Sequence, residues 1–215
     1  MKKLFLSIVA ALLAVPTFAQ FTSGGFTLSE SNVYYGVRLG LSMANLSSDD
    51  IETDGKAGLT LAGVIGLRLT DSAPVFLESG LYYTERGGKK DKVSIGYNNL
   101  EIPVLVKYGF QATDEIAVLP FLGPVFSYGI SGKTKQYEAN ADGTLELVKR
   151  GTFDEKKAYT GGLKRPNMGI KVGCGAEWNN LYLEAGYHFG LTNIAKDDNF
   201  SIHSNALFVN FGVNF

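Results

Sequence analysis

The sequence predicts an all-β fold, an eight-stranded antiparallel up-and-down transmembrane β-barrel, and three features carry that expectation. Apolar and polar residues alternate at period two through eight segments, as in a strand with two unlike faces. Long polar connections alternate with tight turns, which is the habit of barrels that cross a membrane. One face of most segments holds Leu, Val and Ile without charges, while the other holds Gly and ionised residues. The glycine-rich face has too little bulk for a dry core, so the apolar face is assigned to lipid and the charged face to the barrel interior.

The first predicted segment, 34–44, sets Tyr35, Val37, Leu39, Leu41 and Met43 against Gly36, Arg38, Gly40 and Ser42. Segment two, 58–69, sets Leu59, Leu61, Ile65, Leu67 and Leu69 against Thr60, Ala62, Gly66 and Arg68. Segment three, 75–85, opposes Val75, Leu77, Leu81 and Tyr83 to Glu78, Gly80, Tyr82 and Thr84. In segment four, 98–110, Leu100, Ile102, Val104, Val106 and Tyr108 oppose Glu101, Pro103, Leu105 and Lys107. Segment five, 116–131, is apolar on both faces. Pro120 and Pro124 interrupt it, and a bulge or irregularity is expected there because proline lacks the ladder donor. Segment six, 167–178, alternates Met168, Ile170, Val172, Cys174, Ala176 and Trp178 with Asn167, Gly169, Lys171, Gly173, Gly175 and Glu177. Segment seven, 181–191, alternates Leu183, Ala185, Tyr187 and Phe189 with Tyr182, Glu184, Gly186 and His188. The eighth, 204–215, alternates Leu207, Val209, Phe211, Val213 and Phe215 with Ala206, Phe208, Asn210, Gly212 and Asn214. Each is long enough to cross a bilayer as a tilted strand, which takes ~9–11 residues.

The long connections are 45–57, 86–97, 132–165 and 192–203; the short ones are 70–74, 111–115 and 179–180. With an even strand count, both ends of the barrel chain fall on the short-turn side, the periplasm. In the longest loop, Asp142-Gly143 is a hairpin signal between two β-prone runs, 133–139 and 144–150. Strands five and six are therefore expected to continue outside the membrane as a protruding hairpin, whose edge can take a partner strand.

Ahead of the barrel, Lys2 and Lys3 precede the apolar run Leu4 to Val15, and Thr17-Phe18-Ala19 is a small-x-small cleavage site. Residues 1–19 are thus read as a signal peptide cleaved after Ala19, 20–33 as an N-terminal periplasmic segment, and 34–215 as an outer-membrane barrel. The net charge of −1 and the lack of a Lys/Arg stripe argue against nucleic-acid binding. The single Cys174 excludes an intrachain disulfide and a Cys-based zinc site. No cofactor and no metal is expected. The acidic run Asp49, Asp50, Glu52 and Asp54 does not have the spacing of a calcium loop.

Tyr35, Tyr108, Trp178 and Phe215 fall at periplasmic strand ends on the lipid face, where amphipathic rings form a girdle. Tyr83 fits the opposite interface. The inward face carries Arg38, Arg68, Lys107 and Lys171 against Glu78, Glu101, Glu177 and Glu184. Charges in a narrow lumen are costly unless paired, and eight strands leave an interior that side chains can fill. A charge-paired, plugged lumen is expected.

The stretches Leu100 to Tyr108, Gly173 to Trp178 and Leu183 to Ile194 resemble the Bacteroidota-type outer-membrane β-barrel family, the PorT-like group, most specifically in Leu100-Glu101-Ile102-Pro103 and Gly190-Leu191-Thr192-Asn193-Ile194. The resemblance covers nearly the whole mature chain and implies an eight-stranded barrel in the outer membrane. It implies little about activity.

The function expected is that of a non-enzymatic structural or surface-interaction barrel. Outer-membrane lipids and lipopolysaccharide are its surroundings, with Gly87-Gly88-Lys89-Lys90 as a basic tip for lipopolysaccharide phosphates. A surface protein is a candidate partner for loop 132–165. Alternate apolar residues before Phe215 match a signal for the barrel-assembly machinery. Two alternatives stand: a small pore or transport accessory for polar solutes, and a lipid-modifying enzyme using His188 as a base oriented by Glu184.

Overall fold

The computed structural model describes residues 33–48, 53–70, 72–91, 93–139, 145–154, 162–197 and 201–215. The segments read as signal peptide and periplasmic leader lie outside these residues up to position 32, as does the Asp142-Gly143 turn. Among the described residues the chain forms ten strands and no helix. They are β1 (Val33–Ser48), β2 (Asp54–Arg68), β3 (Val75–Lys90), β4 (Val93–Tyr108), β5 (Phe110–Gln111), β6 (Ile116–Ala139), β7 (Leu145–Gly151), β8 (Pro166–Trp178), β9 (Leu181–Gly190) and β10 (Ile202–Asn214).

Eight of these close a ring. The order runs β4-β3-β2-β1-β10-β9-β8-β6, and β4 pairs β6 to complete it. Each neighbouring pair is antiparallel. The stub β5 extends the turn into β6, and β7 pairs β6 at the long-loop end. The fold is therefore an eight-stranded up-and-down barrel, with two short accessory strands.

The alternation in the sequence becomes the two sides of the wall. On β1, Leu39 and Leu41 are 61% and 64% exposed, while Arg38 between two outward neighbours is 1% exposed. Leu81, Leu183, Leu207 and Phe211 continue the outward apolar surface around the ring. A patch encircling the molecule far exceeds the few hundred Å² that a water-soluble monomer shows, and it suits hydrocarbon. Cys174 belongs to this outward face.

The interior is filled by an unforeseen device. Ring atoms of Tyr34 occupy the space a side chain on Gly66 would take, as do those of Tyr182 at Gly175, Phe208 at Gly186 and Phe121 at Gly173. The inward glycines thus leave room for rings from adjacent strands. Phe121 and Phe208 stack across the lumen at 6.4 Å. Wall glycines and bulky aromatics are complementary halves of one packing scheme, as close packing demands.

Three expectations are corrected. β6 runs unbroken through Pro120 and Pro124, which pair with Cys174 and Ile170 of β8. The register shift lies higher, between Asn98 and Asn99, where Ser131 and Gly129 are the partners and Ile130 is the extra residue. The connections 45–57 and 86–97 are largely strand: β1 and β2 reach to Ser48 and Asp54, and β3 and β4 meet at a turn in which Asp91 takes φ 47°. The outer hairpin pairs Lys133 with Gly151 through Ala139 with Leu145. Its return arm is the separate β7, not an extension of the sixth ring strand, which begins at Pro166.

Replacing Gly175 by Val places a branched carbon where the Tyr182 ring lies. Overpacking of this kind costs ~1–3 kcal/mol. The temperature at which the folded band is lost in heat-modifiable gel migration should fall. Cys174→Val, one position away on the lipid face, should leave it unchanged.

Candidate functional site: a charged lumen between two apolar layers

The buried ionised residues form two tiers. In the lower tier Glu78 of β3 is the hub. Its Oε2 accepts from Tyr34 Oη at 2.7 Å and faces Arg38 Nη2 at 3.4 Å, while its Oε1 faces Lys107 Nζ at 2.8 Å. Lys107 also donates to Tyr182 Oη at 2.9 Å and lies 3.9 Å from Glu184 Oε2. Asn210 Nδ2 donates to the other Glu184 oxygen at 2.7 Å. The Arg38 guanidinium sits over the Tyr182 ring, 4.2 Å from its centre. Strands β1, β3, β4, β9 and β10 are thereby tied together across the lumen.

The upper tier centres on Glu101 of β4. Its Oε1 accepts from Thr84 Oγ1 at 2.7 Å and from Arg86 Nε and Nη2 at 3.1 and 2.8 Å. Lys171 Nζ of β8 faces its Oε2 at 3.1 Å and lies over the Tyr82 ring at 4.4 Å. Glu177 is buried near the short-turn end and accepts from Asn214 Nδ2 at 2.6 Å. Among the described residues it makes no ion pair within 4.0 Å.

Seven of the eight residues expected in the lumen are buried there: Arg38, Glu78, Glu101, Lys107, Lys171, Glu177 and Glu184. Arg68 stands apart, half-buried at the short-turn rim with Nε donating to the Thr70 carbonyl at 3.1 Å. Arg86, 4% exposed and within a stretch expected to be a loop, joins the buried pairing. The inward parity of Thr84 extended two residues further was the signal for it. Four buried cations thus pair with three carboxylates, Glu78, Glu101 and Glu184, and Glu177 is the fourth buried acid. Tyr35, Tyr108, Trp178 and Phe215 are all exposed at the short-turn ends of their strands, and Tyr108 packs on Phe110 at 4.6 Å.

His188 is 1% exposed and its Nδ1 has no hydrogen-bond partner among the described residues. Glu184 is engaged by Asn210 and Lys107, so the two do not form a hydrogen-bonded dyad. Among the described residues no group of His, Cys, Asp and Glu is arranged to hold a metal ion.

Apolar layers bound the charges. Below lie Tyr34, Phe76, Ala117, Leu119 and Tyr182. Above, at the long-loop mouth, Leu46, Ile95, Tyr97, Leu163 and Ile194 form a second cluster, with Phe153, Val93 and Ile202 against it. Two loop segments bring Leu163, Ile194 and Phe153 to this layer and are pinned by bonds to backbone carbonyls. Leu163 N–H donates to the Thr152 carbonyl at 3.0 Å, Lys164 N–H to Ile194 at 2.7 Å, and Thr152 Oγ1 to Gly96 at 3.0 Å.

Removing one partner of a buried ion pair costs ~3–5 kcal/mol because the other charge is left uncompensated. Glu101→Gln, which strands Arg86 and Lys171, should therefore lower the unfolding temperature strongly in heat-modifiable migration. Glu177→Gln removes a charge that has no cation in contact and should leave that temperature unchanged or raise it.

Solved structures with the same architecture include a major outer membrane protein from Thermus thermophilus, with a TM-score of 0.50 and 14% identity over 86% of this chain and 100% of that one. Neisserial surface protein A matches with a TM-score of 0.46 and 18% identity, over 86% of this chain and 98% of its own. Ail, the attachment invasion locus protein of Yersinia pestis, matches with 0.43 and 13% identity, over 86% and 100%. At 14% identity the Thermus thermophilus match is a likeness of fold alone. No curated protein matches the sequence. The model of the outer membrane protein beta-barrel domain matches residues 18–196, and the chain belongs to that family of bacterial outer-membrane barrels.

Proposed function

We propose that this protein is a non-enzymatic outer-membrane barrel whose lumen is plugged by paired charges, and that it acts through its extracellular surface. The observation that carries this reading is the two-tier network, held across the barrel between the Tyr34 and Tyr97 layers. A solute entering the lumen would have to part buried ion pairs. The lack of a hydrogen bond between His188 and Glu184 among the described residues, with Glu184 engaged by Asn210 and Lys107, speaks for a structural histidine.

The long-loop end is taken as extracellular. There β7 pairs β6 along one edge, and no strand lies beside its other edge among the described residues. Such an edge accepts a strand from a partner protein. Exposed Tyr137 and Leu147, paired across the hairpin, add an apolar contact to it. Outer-membrane lipid and lipopolysaccharide are the other neighbours of this surface. Export by a signal peptide cleaved after Ala19 and insertion by the barrel-assembly machinery belong to the same proposal. So does the finer placing among PorT-like barrels, which rests on the Leu100 to Pro103 and Gly190 to Ile194 stretches.

Planar-bilayer recording tests the plug. The wild-type protein should give no stable conductance steps at neutral pH and moderate voltage. Stable steps of uniform size would overturn the plugged-lumen reading in favour of a pore.

A further inference from the structure

Above the last apolar ring of the wall, the outward face changes character. The lipid-facing row Leu61–Tyr83–Leu100–Tyr128 runs across β2, β3, β4 and β6. The next outward row is Glu85–Asn98–Ser131, then Gly87–Gly96–Lys133–Gly151, then Lys89–Ser94–Lys135–Lys149. Two facing glycines leave a hole in the middle row. Lys56 reaches over it from β2 and donates to the Ile95 carbonyl at 3.1 Å. The result is a concavity of about 330 Å³ lined by Lys56, Glu85, Asn98, Ser131, Lys133 and Lys135.

This hollow has too little negative charge for its lysines. Lys135 stands directly opposite Lys149, and like charges in that position repel. Burial, and then the neighbouring Lys135 and Lys89, push the Lys56 ammonium below the ordinary lysine range. The facing acids are Glu85, whose Oε2 already accepts from the Leu59 N–H at 3.2 Å, and Asp154 beside Gly151. A third, Asp54, stands opposite Lys89 on the β2–β3 ladder, so five lysines meet three carboxylates, and only Glu85 among these lines the hollow itself.

Height decides what anion comes there. At ~3.3 Å per residue, Asn98 and Gly96 lie ~7 and ~13 Å along the strand from Leu100, and less in height because barrel strands tilt by ~40°. The headgroup zone adds ~5–8 Å to each side of the hydrocarbon core. Lysine stems bend down to reach it. Leu100, Tyr128 and Ile130, exposed just below, offer the apolar surface that acyl chains need.

We propose that the hollow around Gly87 and Gly96 binds the phosphate of a phosphorylated outer-leaflet glycolipid, gripped by Lys56, Lys133 and Lys135 with Lys89 and Lys149 above. This rests on the surface-acting reading and gives it a ligand class and an address on the wall.

The test uses the full barrel in phosphatidylcholine nanodiscs loaded with bis-phosphorylated lipid A, with retained lipid counted by mass spectrometry. The wild type should retain it. The K56Q/K133Q/K135Q variant, checked for unchanged heat-modifiable migration, should retain about tenfold less, as expected when charge-assisted bonds to phosphate are lost. Gly96→Val removes no lysine but puts a side chain where the Lys56 ammonium lies, displacing it from the hollow, and it should lose retention too. Dephosphorylated lipid A should be held weakly by all three. Equal retention by the wild type and the triple variant, or of both lipids by the wild type, would overturn the site. Inorganic phosphate competing as well as the lipid, mole for mole, would overturn the lipid assignment. None of these outcomes alters the bilayer recording, so the two readings fail separately.

Discussion

Hydrocarbon offers no hydrogen bond, and every feature of this molecule follows from that. A backbone N–H or C=O left open in the bilayer costs several kcal/mol, so a sheet can cross only if it closes on itself. Here closure is made by β1 on β10 at one seam and by continuous pairing elsewhere around the eight strands. Closure by eight strands also fixes the width of the lumen, and the width decides what the inward residues can be.

Within that width the chain solves two problems together. Rings fill the space over Gly66, Gly173, Gly175 and Gly186, and the same rings support the charges. Tyr182 shows the coupling best. It covers Gly175, accepts from Lys107, and lies under the Arg38 guanidinium. Cations held over aromatic faces and shared between carboxylates need no water, which lets ionised groups persist in a narrow interior. The mixed character of the inner face, glycine beside tyrosine beside glutamate, is one packing solution.

The face of each residue was legible in the sequence because lipid enforces a one-sided rule: Arg38, Glu78, Glu101, Lys107, Lys171, Glu177 and Glu184 sit where alternation puts them. Depth was not legible. Parity places Arg68 inward, yet its position at the end of β2 leaves it at the rim. Arg86 was missed for the converse reason. Above the membrane the outward face turns polar, alternation fades, and a strand that continues to Lys90 reads as a loop. Prolines misled for a third reason. Pro120 and Pro124 are compatible with an unbroken β6, whereas the register shift at Ile130 is flanked by Gly129, one glycine among the many of the inner face and so no distinct signal. The glycine–ring pairing is a contact between strands, and a pattern read along one strand does not contain it.

The seam between β1 and β10 has a bearing on how the molecule comes into being. Its thirteen rungs, from Gly36 with Asn214 to Ser48 with Ile202, join the most distant parts of the barrel sequence. Hairpins form from neighbours, but this zipper has to wait for every other strand, since loop-closure entropy opposes early long-range pairing. Arg38 lies on that zipper, with Nη1 donating to the Val213 carbonyl at 3.4 Å and Nη2 reaching Glu78. Glu78 lies on the same side of the seam and can hold Arg38 beforehand, but the Val213 carbonyl and the Tyr182 ring reach the guanidinium only when the two margins meet, so shutting the cylinder completes the setting of its central cation.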